Sequence, residues 1–530
     1  MRFRLRVGWK GGRVCFFGEQ RMSFRLSGLL CGVVMIVFVT VLGRDLVGDE
    51  VGRPNVILVM ADDLGYAQTG YFQHPLLKTP ELDRLAAGGL RLDRFYAASA
   101  VCSPTRASVL TGRSPERTGV PSHGHALRHQ ERSIATAIRK AGYVTGHFGK
   151  WHLNGLRGPG VPILGEDRYH PGRFGFDVWL SVTNFFDRNP LMSRRGKFEA
   201  FEGDSSEVIV KEALDFASRS ARSQQPFFAV VWYGTPHSPF VASDEDMQAL
   251  VDAGEDEDEK ARLQRIVDGM DEGSRNHYGE LVAMDRSLGT LREGLERLRV
   301  LDNTLIWFCS DNGGLKGIEP STTEPLRGHK SQLYEGGLRV PCVLHWPDQI
   351  QAGRISRVPA CATDIAPTMV DLLGLPGDSL TTPVDGISLL PVIQGQDEAV
   401  VSLREKPLGF RFRGNSAVVD NRWKLIRETR KQKGKSVTSE QLYQLDEDVS
   451  ESKDVTGDYP EIASRLSEWL AEWNDSVEDS VSGLDYPEGH VNPDHAEPNY
   501  WANDSRYEVF FDEWRDRPEY QSFLKTRLGK

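Results

Sequence analysis

Short unbroken runs of apolar residues, each closed by a polar cluster and followed by a stretch with helical spacing, recur from residue 55 to about 390. Runs of this length without alternation are how strands buried on both faces read, so the pattern predicts an α/β protein with a parallel sheet. Four of the runs end in reactive side chains. "NVILVMADD" (55–63) closes on two carboxylates and "YVTGHFGKWH" (143–152) on a lysine and a histidine. "FFAVVWYGTPH" (227–237) closes on a histidine after a Thr-Pro turn, and "TLIWFCSDNGG" (304–314) on Asp-Asn and a glycine pair. Ligands of open α/β sheets sit beyond the carboxyl ends of the strands, so the four ends are expected to face one crevice.

Between the strands, "ERSIATAIRKAG" (131–142) and "NHYGELVAMDRSLGTLREGLERL" (276–298) carry helical periodicity, the first closing on Gly142. The acidic stretch 244–264 reads as a solvated loop or helix face rather than a calcium site. Near residue 395 the texture changes to short charged alternations, 408–428 and 442–452, followed by an amphipathic stretch 460–473. These predict a small antiparallel sheet with a helix. Residues 475–530 are acidic and rich in Tyr, Trp, Pro and Asp without a period, and are expected to pack on the main domain or cover the site. The expected organisation is an N-terminal segment 1–50, a catalytic domain 51–395, a small α+β subdomain 396–475 and an acidic extension 476–530.

Composition narrows the partners. With 530 residues, 39% hydrophobic, and a formal net charge of -11, the chain has ample core and no bulk basic face, which argues against nucleic acid. An anionic substrate therefore needs a local positive site. Six cysteines show no metal-finger spacing and no disulfide framework; Cys309 reads as a buried small hydrophobe, and a Cys342–Cys361 bridge has no support. A basic stretch with Arg2, Arg4, Arg6, Lys10, Arg13, Arg21 and Arg25 precedes the apolar run Leu29 to Leu42. That is the pattern of an export signal, or of an uncleaved membrane anchor, with Met22 as an alternative start.

The strand ends specify chemistry. Asp62, Asp63, Asp311 and Asn312 offer only oxygen donors, which suits calcium or magnesium and disfavours zinc or copper. Arg106, Lys150, His152, His237 and Lys330 gathered around such a cation suit a tetrahedral oxyanion in transfer, a phosphate or a sulfate ester. Cys102 in "VCSPTRASVLTGR" is placed at the N-cap of a helix, with Pro104 tolerated in the first turn and the helix dipole favouring negative charge. A plain thiolate is mismatched to a hard, oxygen-ligated cation and is exposed to oxidation after export.

"CSPTRASVLTGR" resembles the Cys-x-Pro-Ser/Thr-Arg signature of the type I, formylglycine-dependent sulfatases, arylsulfatase-like members of the alkaline phosphatase superfamily. The similarity continues in order through "PNVILVMADDLGY", "GYVTGHFGKWHL", "TPHSPF", "SDNGG", "LRGHKSQLYEGGLRVP", "ATDIAPTMVDLLGLP" and "WKLI" with "LYQLDED", over roughly residues 53–475. The resemblance implies an alkaline-phosphatase-like fold: a large mixed, mostly parallel sheet between helices, plus a smaller C-terminal antiparallel sheet and helix.

It also implies that Cys102 becomes Cα-formylglycine, whose hydrate is the nucleophile. Asp62, Asp63, Asp311 and Asn312, with an oxygen of residue 102, would bind one calcium ion, magnesium being the poorer fit. Arg106 would hold the hydrate, and Lys150 and Lys330 would contact it and the sulfate. His237 would protonate the departing alcohol, and His152 would act as base in expelling sulfate. Two departures from the family pattern, "AQTG" after "DDLGY" and His329 before Lys330, are expected to border the pocket and alter substrate fit.

The implied function is an exported calcium-dependent sulfatase acting on a sulfated carbohydrate or polysaccharide. A formylglycine-generating or sulfatase-maturing enzyme is its biogenesis partner, and the membrane is touched only through the N-terminal segment. Arg188, Arg194, Arg195 and His329 are candidate rim contacts, each also readable as plain surface. A phosphonate monoester or phosphodiester hydrolase of the same superfamily is the alternative reaction, and a non-catalytic glycan-binding relative is the alternative class.

Overall fold

Asn55–Ala61 (β1), the first apolar run, is buried at every residue and lies inside a ten-stranded sheet. The computed structural model describes residues 7–10, 13–16, 53–395, 403–432 and 435–528. The apolar run 29–42, read as an export signal or anchor, lies outside the described residues. Val7–Lys10 and Arg13–Phe16 pair with each other as an antiparallel ribbon.

The other strands of the large sheet are β2 (Leu90–Leu92), β3 (Val144–Lys150), β4 (Val178–Val182), β5 (Leu191–Arg194), β6 (Lys197–Ala200), β7 (Phe227–Trp232), β8 (Thr304–Ser310), β9 (Cys342–His345) and β10 (Arg354–Ser356). Their order is β6-β5-β4-β3-β7-β1-β8-β9-β2-β10. The five strands from β4 to β8 in that order are parallel, and antiparallel neighbours β5 and β9 flank them. Alternation along β1 sorts the two layers: Val56, Leu58 and Met60 join one core, Ile57, Val59 and Ala61 the other. Helices Cys102–Thr111 (α1) and Ile134–Lys140 (α2) pack in the first, Ser205–Arg222 (α3) and Glu272–Arg297 (α4) in the second. The sheet is therefore the middle layer between helices, as expected.

Helix starts follow local chemistry. Ser133 accepts from the Ala135 N–H, Asp204 from Ser206 and Asp271 from Ser274. The acidic stretch forms two helices, Asp244–Asp252 and Glu257–Gly269, whose carboxylates crowd the first turns, where the dipole favours them. Among the described residues no helix is long and apolar enough to cross a membrane.

Leu408–Phe412 (β11), Asn415–Asp420 (β12), Trp423–Gln432 (β13) and Lys435–Gln444 (β14) form the expected antiparallel sheet. Helix α5 (Pro460–Val481) covers it through Leu466, Leu470 and Val477 against Val418, Leu425 and Leu442. It runs past the expected end at 473 because its apolar spacing continues through Trp473 and Val477. Cys342 stands opposite Cys309 across β8 and β9, and Cys309, Cys342 and Cys361 are free thiols, so the Cys342–Cys361 bridge does not form.

Candidate active site

Register alone brings the strand ends together. Ala61 pairs with Ser310, and Met60 and Gly149 both pair with Trp232, so β1, β3, β7 and β8 finish level. Asp62 N–H donates to Thr235 O and Asp311 N–H to Ala61 O, which carries the pairing one residue past the strands. Ser310 then accepts from Leu64 N–H and donates to Asn312 O, each at 3.0 Å, tying the two acidic ends into one loop pair. Asp63 and His152 hold left-handed backbone, φ 72° and 56°, a conformation uncommon for non-glycine residues.

Cys102 is the first residue of α1, one position inside the N-cap, which is Val101. The expected N-cap placement is thus off by a residue, because the extended backbone ends at Val101. Arg106 is one turn on and shares the face of Cys102. Its Nε and one Nη donate to Asp311 Oδ2 at 3.1 and 2.5 Å, and its guanidinium lies 5.1 Å over the Trp232 ring. Lys150 Nζ donates to Asp62 Oδ2 at 2.5 Å and Lys330 Nζ to Asp63 Oδ2 at 2.7 Å. The structure thus places all ten sequence-derived site residues, Asp62, Asp63, Cys102, Arg106, Lys150, His152, His237, Asp311, Asn312 and Lys330, around one crevice. All are buried except His237 and Lys330, which are partly exposed and mark the mouth.

The donor set fits a hard cation. Asn312 Nδ2 donates to Asp63 Oδ1 at 2.7 Å, and Asn312 Oδ1 and Asp62 Oδ1 are buried without a hydrogen-bond partner. Ligand atoms of Asp62, Cys102 and Asp311 lie within 4.8 Å of one another. Orphaned buried oxygens are costly, and a divalent cation between them would satisfy both.

Charge sets the protonation states. Burial would raise the Asp62 carboxyl, but Lys150, with His237 and Arg106, holds it down at about 2. Burial and the neighbouring Asp62 charge push Asp311 well up, against Arg106. Burial also opposes ionisation of Cys102, yet Lys150, His123, His152 and Lys330 together pull its thiol well down. Burial and then Lys150 lower His152 to about 3, leaving a neutral imidazole. His237 Nδ1–H donates to Ser238 O at 2.6 Å, which turns Nε2 toward Asp63, 3.9 Å away.

His123 was not among the expected residues, yet its ring stacks on His152 with centroids 6.2 Å apart and it is among the groups that act on the Cys102 thiol. The signal was present: "HGHALRH" (123–129) holds three of the 13 histidines. Two expectations are corrected. Gln68 of "AQTG" is fully buried, accepts from Gly65 N–H and bonds His277, so it shapes the metal loop from behind rather than bordering the pocket. Among the rim arginines, Arg194 is taken up by Glu199 and Glu212 at 2.8 and 2.7 Å. Arg195 sits beside Trp179 at the amino end of β4, the far end of the sheet. His329 borders Lys330, donating from Nδ1 to its carbonyl at 2.9 Å, and Arg188 follows the loop that faces His237.

The chain resembles known proteins over most of its length. A family model described as sulfatase matches residues 54–375, and one described as N-sulphoglucosamine sulphohydrolase, C-terminal, matches residues 328–476. The chain is 30% identical over 407 residues to N-acetylgalactosamine-6-sulfatase of Canis lupus familiaris, covering 68% of this chain and 69% of that one. It is 32% identical over 364 residues to arylsulfatase A of Homo sapiens, covering 64% and 68%. Among solved structures it resembles Ps i-CgsB in complex with k-i-k-neocarrahexaose, with a TM-score of 0.68, 24% identity, and coverage of 89% of this chain and 99% of that one.

Proposed function

The chain belongs to the sulfatase family and is a sulfuric ester hydrolase, and on that premise we propose that it removes an O-sulfate group from a sulfated carbohydrate with a formylglycine at position 102 and one calcium ion. The observation that carries the reading is the balance of one crevice: Asp62, Asp63 and Asp311 against Arg106, Lys150 and Lys330, with Cys102 between them. With all three carboxylates ionised, as a bound cation would hold them, their charges cancel against the three cations. A divalent cation then leaves room for two negative charges, a monoanionic ester and an ionised nucleophile. The carbohydrate is supported by what the relatives are named for, N-acetylgalactosamine-6-sulfatase among them, and by the oligosaccharide bound in the structural neighbour.

Asp62, Asp63, Asp311 and Asn312 would hold the cation, which when bound supplies fixed positive charge for the sulfate oxygens. Residue 102, oxidised to the aldehyde by a maturation enzyme and hydrated, supplies one hydroxyl to attack sulfur and a second whose deprotonation releases sulfate. Arg106 orients that group from the same helical face. Lys150 and Lys330 neutralise charge growing on the sulfate oxygens. His152, kept neutral, accepts the proton of the second hydroxyl; His237, at the mouth, delivers a proton from Nε2 to the departing alcohol. All of these residues fall within 51–395, the proposed catalytic domain; 396–475 and 476–530 are proposed as subdomain and extension, and the N-terminal pattern supports export.

The test is sulfate against phosphate release from matched aryl esters by protein co-expressed with a formylglycine-generating enzyme, with chelator and with added calcium. Preferential sulfate release that chelation removes and calcium restores is expected. Preferential phosphate release would move the chain to phosphonate or phosphodiester chemistry.

A further inference from the structure

The C-terminal segment from Asn499 to Leu528 has no part in the reaction above, yet it builds a core of its own. Trp501, Tyr507, Trp514, Tyr520 and Leu524 are buried against Leu156, Val161 and Leu164. Polar contacts fix the same stretch: Asn499–Tyr500 pairs in parallel with Leu156–Arg157, Tyr520 OH donates to Gly160 O at 2.9 Å, and Tyr507 OH donates to Pro162 O at 3.0 Å. Gly158 has φ 105°, and a Cβ there would lie 2.8 Å from Phe523 and 2.9 Å from Trp501, so the contact leaves no space for a side chain.

Segment 156–162 in turn grips the loop after β4. Asn184 Nδ2 donates to Gly158 O at 2.7 Å and Gly160 N–H to Phe185 O at 2.9 Å. The Phe185 ring lies flat on the His237 imidazole, centroids 4.7 Å apart and planes 8° from parallel. The stack, the Nδ1 bond to Ser238 O and the approach of Nε2 to Asp63 all bear on the plane of the imidazole.

We propose that Phe185 is a positioning residue for His237, and that the C-terminal segment holds it in place through residues 156–162. The proposal rests on His237 being the leaving-group acid. Proton donation accelerates a step only when the donor is aligned with the leaving oxygen. A sugar alcohol is a poor leaving group and needs that proton, whereas a nitrophenol departs without it. A misaligned imidazole therefore penalises esters in proportion to the basicity of the leaving group.

The experiment compares kcat and KM over a series of aryl sulfates of increasing phenol basicity, using the full chain bearing formylglycine. The variants are Phe185→Leu, Phe185→Tyr, His237→Ala, and Tyr507→Phe combined with Tyr520→Phe, which removes two hydroxyls without changing shape. Phe185→Leu is expected to lower kcat by about tenfold or more on the most basic leaving group and by less than about threefold on nitrophenyl sulfate, with KM little changed. Phe185→Tyr should restore the parent profile, and the double Tyr→Phe variant should steepen it in the same direction by less. If His237→Ala steepens the dependence and neither Phe185→Leu nor the double variant does, the positioning role is overturned. If His237→Ala itself leaves the dependence unchanged, the acid assignment falls and takes the proposal with it.

Discussion

Lys150 and Asp62 meet at 2.5 Å with both side chains fully buried, a lysine from the end of one strand neutralising a proposed metal ligand at the end of another. Lys150 holds Asp62 ionised, and in the proposed mechanism it also faces the sulfate oxygens. Lys150→Ala should lower kcat/KM for sulfate release by about 100-fold or more, as loss of a preorganised charge at a reacting group does. Lys150→Arg should not restore it, because a planar guanidinium cannot occupy the site of a compact ammonium. Steady-state kinetics at saturating calcium check both.

Cys102→Ala should abolish turnover while leaving the unfolding midpoint close to that of the parent, since the side chain is small and sits at a helix start. Asp311→Asn should instead weaken calcium binding and remove the negative charge that Arg106 contacts through two N–H groups on one oxygen. The calcium dependence of activity, together with mass analysis of residue 102, separates the two variants.

Lys424 is buried between Glu335 and Glu451, 2.9 Å from each, and Glu451 also accepts from the Glu335 N–H. This joins the antiparallel sheet to the end of the loop that carries Lys330. Lys424→Met would strip two buried carboxylates of their shared ammonium, leaving Glu335 to the more distant Arg339 at 3.7 Å, and should destabilise the fold by about 3–5 kcal/mol. Urea unfolding measures the loss, and adding Glu451→Gln to Lys424→Met should recover part of it.

Burial pushes the Glu116 carboxyl from its ordinary 4.5 up to about 7, and its Oε2 has no hydrogen-bond partner. A folded-state value above the unfolded one means the folded state holds the proton more tightly. Its stabilising contribution is therefore full below pH 4.5 and is lost as pH rises through about 7. Glu116→Gln should remove that loss, so the stability advantage of the variant should widen between about pH 5 and about pH 8, by on the order of 1–3 kcal/mol. Thermal unfolding across that range tests the sign.

The sequence alone determined the strands β1, β3, β7 and β8 and the chemistry at their ends, because a buried parallel strand writes itself as a continuous apolar run and its reactive residues follow directly in the chain. The motif around Cys102 was equally local, with Arg106 one helical turn away. His123 left only a faint histidine cluster, and Gln68 looked like a pocket residue until its buried bond to His277 placed it behind the metal loop. Only the tertiary structure decided what lies across the chain: Phe185 on His237, Tyr520 on Gly160 at a separation of 360 residues, and Lys424 on Glu335. The C-terminal segment shows why. Its aromatic residues have no period, since they bury themselves against an irregular loop rather than a regular face, and such packing is specified by shape in three dimensions that no spacing along one chain records.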